Sequence, residues 1–205
     1  DKGPNTGGMG TYSPTPVIDE STANEIQKNV IEKTISSMKK EGIVFKGFLY
    51  AGIMLKDGKP YVLEFNARMG DPECQPIMMR MDSDLLEYIQ ASIDGTLSSL
   101  PVISWKKSSA VCVILASKGY PESYPKNEEI IGLDDSTPNS AVFHSGTRKE
   151  NGKVLTSGGR VLGVTAVGDT LEAAIANAYL RVRKINWPSK YCRMDIGKKG
   201  ITWRK

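Results

Sequence analysis

The sequence predicts an α+β chain in two parts, and three observations predict it. An amphipathic helical pattern over residues 22–42 is followed by two apolar runs joined through Lys56-Asp57-Gly58-Lys59, the composition of a tight antiparallel hairpin. From about Leu100 the texture changes to short strands separated by Gly and Pro. A last helical pattern opens at Thr170. We therefore divide the 205 residues into an antiparallel sheet with helices (1–99) and a small, mostly β part with one helix (100–205).

Residues 1–10, with four glycines, a proline and an asparagine, read as a loop. Its glycines free the backbone to positive φ, so that successive N–H groups can converge on an anion. Thr22 and Glu25 form a capping box, and Ile26, Val30, Ile31, Ile35 and Met38 repeat at helical spacing until Gly42. Strands are predicted over 48–55 and 61–65, with Asp57-Gly58 at the turn between them. Residues 76–81 are apolar, and their methionines suit core filling. Ser83 caps a helix whose Leu85, Leu86, Ile89 and Ile93 share a face, and Asp94-Gly95 ends it. A continuous apolar strand spans 109–117. Shorter strands are predicted at 129–133, 141–144, 153–155 and 160–167, before the helix at Thr170 with Leu171, Ala174, Ile175, Ala178 and Val182. No element is assigned to 198–205.

Composition excludes several classes of function. Forty per cent of the residues are hydrophobic and 24% charged, as in ordinary globular chains. A net charge of +4 is scattered, which favours anionic small molecules over nucleic acid. Cys74, Cys112 and Cys192 show no CxxC spacing and read as reduced thiols of the cytoplasm. No apolar run is long enough to cross a membrane. The first residue is not Met and a dense motif begins at once, so we expect the C-terminal part of something longer.

The chemistry concentrates at residues 60–75. In a strand, Glu64 and Asn66 leave the same face while Phe65 points away, and Arg68 is expected to follow them. A carboxylate and an amide oxygen about 6.6 Å apart along the backbone suit Mg²⁺, which leaves its other positions to phosphate and water. Arg68 offers a planar fork of donors to phosphate. Asp71 and Glu73, around Pro72, bring two more carboxylates. The bare E-x-N-x-R pattern also fits a surface ion pair between Glu64 and Arg68.

The longer string L-E-F-N-A-R-M-G-D-P-E-C-Q (63–75) resembles the signature of the phosphoribosylamine-glycine ligases, or glycinamide ribonucleotide synthetases, of the ATP-grasp superfamily. The loop D-K-G-P-N-T-G-G-M-G, A-S-K-G-Y-P-E-S-Y-P-K (116–126), G-G-R-V-L-G-V-T-A (158–166) and Y-C-R-M-D-I-G (191–197) extend the resemblance in the family's order. It implies that residues 1–99 are the C-terminal part of an ATP-grasp domain. It further implies ATP-dependent joining of glycine to 5-phosphoribosylamine through glycyl phosphate, in purine biosynthesis. Glu64 and Asn66 would be the metal ligands for Mg²⁺ or Mn²⁺, and Arg68 would hold phosphate. Asp1, Lys2, Asn5, Gly7 and Gly8 would contact substrate or phosphate, and Asp71 and Glu73 would orient an amine. The family's N-terminal half is missing from these residues, so the isolated chain is expected to be inactive and to bind ATP poorly. The alternatives are a non-catalytic assembly module and another ATP-grasp carboxylate-amine ligase. His144, the lone histidine, reads as structural, and Arg160 as an anion contact or a partner of Asp195.

Overall fold

A computed structural model describes residues 3–203; Asp1, Lys2, Arg204 and Lys205 lie outside the described residues. The chain is α+β, with antiparallel strand pairing throughout. In order the elements are β1 (Gly10–Ser13), α1 (Glu20–Ile26), α2 (Lys33–Lys40), β2 (Tyr50–Lys56), β3 (Lys59–Asn66), α3 (Cys74–Arg80) and α4 (Leu85–Asp94). There follow β4 (Ser109–Ser117), β5 (Ser140–His144), β6 (Thr147–Glu150), β7 (Lys153–Thr156), β8 (Arg160–Gly168), α5 (Leu171–Lys184), β9 (Lys190–Tyr191) and α6 (Lys198–Thr202). They form two compact units, each discontinuous in sequence.

The first unit comprises residues up to Pro14, Asp71–Arg80, and Trp105 onward. Its sheet runs β1-β4-β8-β5, with β9 pairing the far end of β4. The unbroken apolar run of β4 has a direct cause, since both faces of the strand are covered. Val111, Val113 and Leu115 join Val161, Val164 and the α5 residues Ala174, Ala178 and Val182 in one core, while Cys112 and Ile114 approach the α3 residue Gln75 across Gly163. Each such aliphatic side chain contributes roughly 1.5–3 kcal/mol on burial. Thr170 caps α5 by accepting from the Ala173 N–H. Lys190 closes the other end, its Nζ donating to the carbonyls of Val182 and Ile185. Buried Arg181 leaves α5 to donate to the carbonyls of Gly132 and Leu133 at 2.9 and 2.8 Å.

The second unit comprises Thr15–Gly70 and Met81–Ser104. Here α1, a π-helical stretch (Gln27–Glu32) and α2 run on without interruption, and β2 and β3 form a two-stranded ribbon. Asp57 and Gly58 both take positive φ, as a two-residue Asp-Gly turn requires. Little of this unit is buried. Val44, Met54, Tyr61 and Leu63 are each at least half exposed, and Met81 and Ala91 are its buried apolar side chains.

Several expectations need correction. Asp19, not a Thr22 box, caps α1, accepting from the Thr22 N–H. Asp84, not Ser83, caps α4, while Ser83 bonds Ser104. Gly10, expected in the loop, opens a strand that runs on through Ser13, to which no element was assigned, because its ladder partner is the distant segment 110–113. Residues 129–133 make two isolated bridges instead of a strand, Gly132 turning the chain at φ 79°. The apolar stretch after Gln75 is helix α3, and Lys198–Thr202, left unassigned, is helix α6.

Candidate active site

The β3 strand carries the first cluster. Its register with β2 slips between Gly52 and Ile53, leaving Leu63 as the extra residue of a bulge. Beyond the bulge the pairing is regular, with Glu64, Phe65 and Asn66 opposite Gly52, Ala51 and Tyr50. Glu64 and Asn66 therefore share a face and Phe65 takes the other. Gly52 makes room for this, since a Cβ there would stand 3.1 Å from the Glu64 Cγ. Glu64 is exposed and Asn66 half-buried.

Arg68 lies past the end of β3, so the strand period does not carry it. Its guanidinium donates to the Met69 carbonyl at 2.9 Å. No Glu64–Arg68 ion pair forms among the described residues. Nor do the described residues include a group of three or more His, Cys, Asp or Glu arranged to hold a metal ion by themselves. The oxygen pair of Glu64 and Asn66 fits a hard divalent cation that shares its coordination with phosphates, and does not fit an all-protein cage.

The second cluster lies in the first unit, around the Gly-rich loop. Arg160, at the start of β8, donates from Nη1 to the Gly8 carbonyl (3.1 Å) and the Asp71 carbonyl (2.8 Å), and from Nη2 to Asp71 Oδ2 (2.8 Å). Gln75 donates to the other Asp71 oxygen at 3.1 Å. Both oxygens of Asp71 are thus occupied. The Gly7 N–H donates to the Tyr120 hydroxyl at 3.1 Å. Gly7 and Gly8 do not take positive φ; they are small because space is short. A Cβ on Gly8 would stand 2.6 Å from Pro72 Cδ, and one on Gly7 would stand 3.1 Å from both Arg160 and Tyr120.

Thr11 ties β1 to the same turn, donating to the Pro72 carbonyl at 2.9 Å. The structure therefore brings Gly7, Gly8 and Asp71 together around Arg160 and Tyr120. The Glu73 carbonyl accepts from the Ile77 N–H at 3.3 Å, while its half-buried side chain makes no hydrogen bond or ion pair among the described residues, and Asn5 is exposed.

The loop also walls an open pocket of about 580 Å³ with Thr6, Met9, Tyr120, Arg193 and Asp195. Arg193 grips Asp195 with two bonds of 2.9 and 2.6 Å, which hold that carboxyl down at about 2. Asp195 is thus the partner of Arg193, and of the two readings left open for Arg160, the pairing with Asp195 does not occur. In the second unit a cavity of about 560 Å³ is lined by Phe48, Leu85, Tyr88, Ile89 and Val102; its one lysine, Lys46, donates to the Ile93 carbonyl. Exposed His144 bonds Thr147 across the turn after β5.

Tyr120, Gln75 and the role of Arg160 were missed from sequence. The available signal was the glycine pair before Arg160, since a Cβ on Gly159 would stand 2.2 Å from the Tyr120 ring.

Residues 1–74 match the family model described as phosphoribosylglycinamide synthetase, ATP-grasp (A) domain, and residues 110–199 match the C domain of the same synthetase. The chain is 47% identical over 203 residues to a phosphoribosylamine-glycine ligase of Rhodopirellula baltica, covering 98% of this chain and 46% of that protein. It is 48% identical to the trifunctional purine biosynthetic protein adenosine-3 of Gallus gallus, covering 99% of this chain and 20% of that one. The crystal structure of the Thermotoga maritima phosphoribosylamine-glycine ligase superposes with a TM-score of 0.85 at 36% identity, covering 95% of this chain and 48% of that one. The chain spans about half the length of the single-function relatives it matches. On these matches the chain belongs to the phosphoribosylamine-glycine ligase family of the ATP-grasp superfamily, as its C-terminal portion.

Proposed function

We propose that the chain is the C-terminal part of an ATP- and divalent-metal-dependent ligase. The enzyme joins glycine to 5-phosphoribosylamine and releases glycinamide ribonucleotide, ADP and phosphate, in de novo purine biosynthesis. The placement of Glu64 and Asn66 on one face after the bulge, in a chain of this family, carries the proposal.

A carboxylate is a poor acylating agent. Transfer of the γ-phosphoryl of ATP to glycine's carboxylate gives glycyl phosphate; the amine then attacks the carbonyl carbon and phosphate leaves with the C–O bonding pair. Glu64 and Asn66 would hold Mg²⁺ or Mn²⁺, which would neutralise charge on the phosphates. Arg68 is placed to donate to phosphate or acyl phosphate oxygens once it leaves the Met69 carbonyl. Glu73, whose carboxylate has no partner among the described residues, orients glycine's ammonium or the attacking amine. Asp71, occupied by Arg160 and Gln75, serves by shaping the turn that carries Glu73.

Asn5, Gly7 and Gly8, with Asp1 and Lys2 beyond the described residues, form the loop presented to substrate or phosphate. Gly7 contributes shape, because its N–H is bound to Tyr120. We set the boundary between the two parts near 99/100, within the stretch that separates the matched segments 1–74 and 110–199. The three cysteines form no disulfide among the described residues, which suits a compartment that keeps thiols reduced, the cytoplasm.

We expect the 205 residues alone to show no ligase turnover and to bind ATP poorly. A chimera placing the N-terminal portion of the Rhodopirellula baltica relative before Asp1 is expected to release ADP in a glycine- and phosphoribosylamine-dependent manner. In that chimera Glu64→Gln is expected to slow release by about 10²-fold or more. Turnover by the isolated chain, or a Glu64→Gln chimera as fast as its parent, would overturn the assignment.

A further inference from the structure

We propose that Arg160 is a positioning residue that fixes the Gly-rich loop and the turn at Asp71 as one rigid piece. One guanidinium reaches three acceptors on two segments: the Gly8 carbonyl, the Asp71 carbonyl and the Asp71 carboxylate. A planar fork satisfies this set, and an ammonium does not reproduce it, because its donors converge on a point.

The surroundings are built around that fork. The Arg160 side chain is only 22% exposed against 44% for Asp71, so the ion pair is sheltered on the arginine side. Gly7 passes 3.1 Å from the guanidinium carbon, measured from where a Cβ would stand, and its N–H is pinned by Tyr120. Tyr120 in turn packs against Gly159, the residue before Arg160. Gly8 lies over Pro72, and Thr11 bonds the Pro72 carbonyl. The loop is therefore held along residues 7–11, and Arg160 is the one charged group in this set of contacts that touches both it and the Asp71 turn. Asp71 is thereby withdrawn from substrate, and the orientation of Glu73, two residues on, follows from the same lock.

The kinetic part of this inference rests on the ligase reading; the structural part does not. Hydrogen–deuterium exchange on the 205-residue chain addresses the structural part. Arg160→Ala is expected to raise exchange over residues 5–12 by about tenfold or more while β4 remains unchanged. Unchanged exchange over 5–12 overturns the proposal whatever happens to activity. If Arg160→Ala fails to fold, Arg160→Lys decides, and wild-type loop exchange in that variant overturns the fork argument.

In the chimera Arg160→Ala is expected to lower kcat by about 10²-fold. Arg160→Lys should restore little of this and added guanidinium more. Asp71→Asn combined with Arg160→Ala should be no worse than the worse single variant, since both act through one unit. Additive losses, or full rescue by lysine, overturn the positioning role. A parent chimera without glycine-dependent turnover sinks the ligase reading alone, and the exchange experiment still judges Arg160.

Discussion

Cys112 shows how one buried atom sets a pH limit. Burial between β4 and its covering helix pushes its thiol up to about 12, against about 8.5 for a free cysteine. Below pH 8 both folded and unfolded chains keep the proton, so this stabilising difference is fully present. Between about pH 9 and 12 the unfolded chain loses the proton and the folded one retains it, so stability falls as pH rises. Urea midpoints measured at pH 8 and 10.5 should drop more for the wild type than for Cys112→Ala; equal drops would show that the thiol is not the cause. At this scale the sequence exposed Glu64 and Asn66, because strand alternation is local. It did not expose Arg160, whose partners lie 152 and 89 residues away. Charge pairs are ambiguous from sequence alone, and Asp195 was an equally good partner until Arg193, two residues away, was seen to hold it.

Among the elements, those specified by neighbouring residues were the legible ones. The Asp57-Gly58 turn, the doubly covered β4 and the Thr170 cap all carry their cause within a few residues. Removing that cap tests its share. Thr170→Ala leaves the Ala173 N–H without its side-chain acceptor and should cost about 1 kcal/mol, or roughly 2–4 °C in Tm by calorimetry. No change in Tm would mean that water replaces the hydroxyl without loss. Misread elements have distant or competing causes. Strand β1 follows a glycine-rich loop and exists because β4 offers it an edge. At the starts of α1 and α4 two capping residues stood close together, and in each case the aspartate adjoining the first helical residue took the role.

Over the whole molecule the buried core is uneven. Nearly all fully buried aliphatic side chains belong to the first unit, through β4, β8 and α5, while the ribbon β2-β3 shows large apolar side chains to solvent. Amide exchange is therefore expected to be slowest in β4 and β8 and faster by at least about 10²-fold in β2 and β3. Equal protection in both would contradict this distribution. The α+β class and the order of the long elements were readable from periodicity. The discontinuity of both units was not, because no local pattern announces that residues 71–80 belong with the strands beyond 105.

The pairing of β1 with β4, and the reach of Arg160 back to Gly8, carry a consequence for how the protein is made. A ribosome delivers the glycine-rich segment roughly 150 residues before its anchor emerges, so during synthesis that segment waits, unstructured, on a nascent chain. The glycine-rich loop is then among the last parts to be completed, and premature termination anywhere before β8 yields a product that lacks its Arg160 anchor.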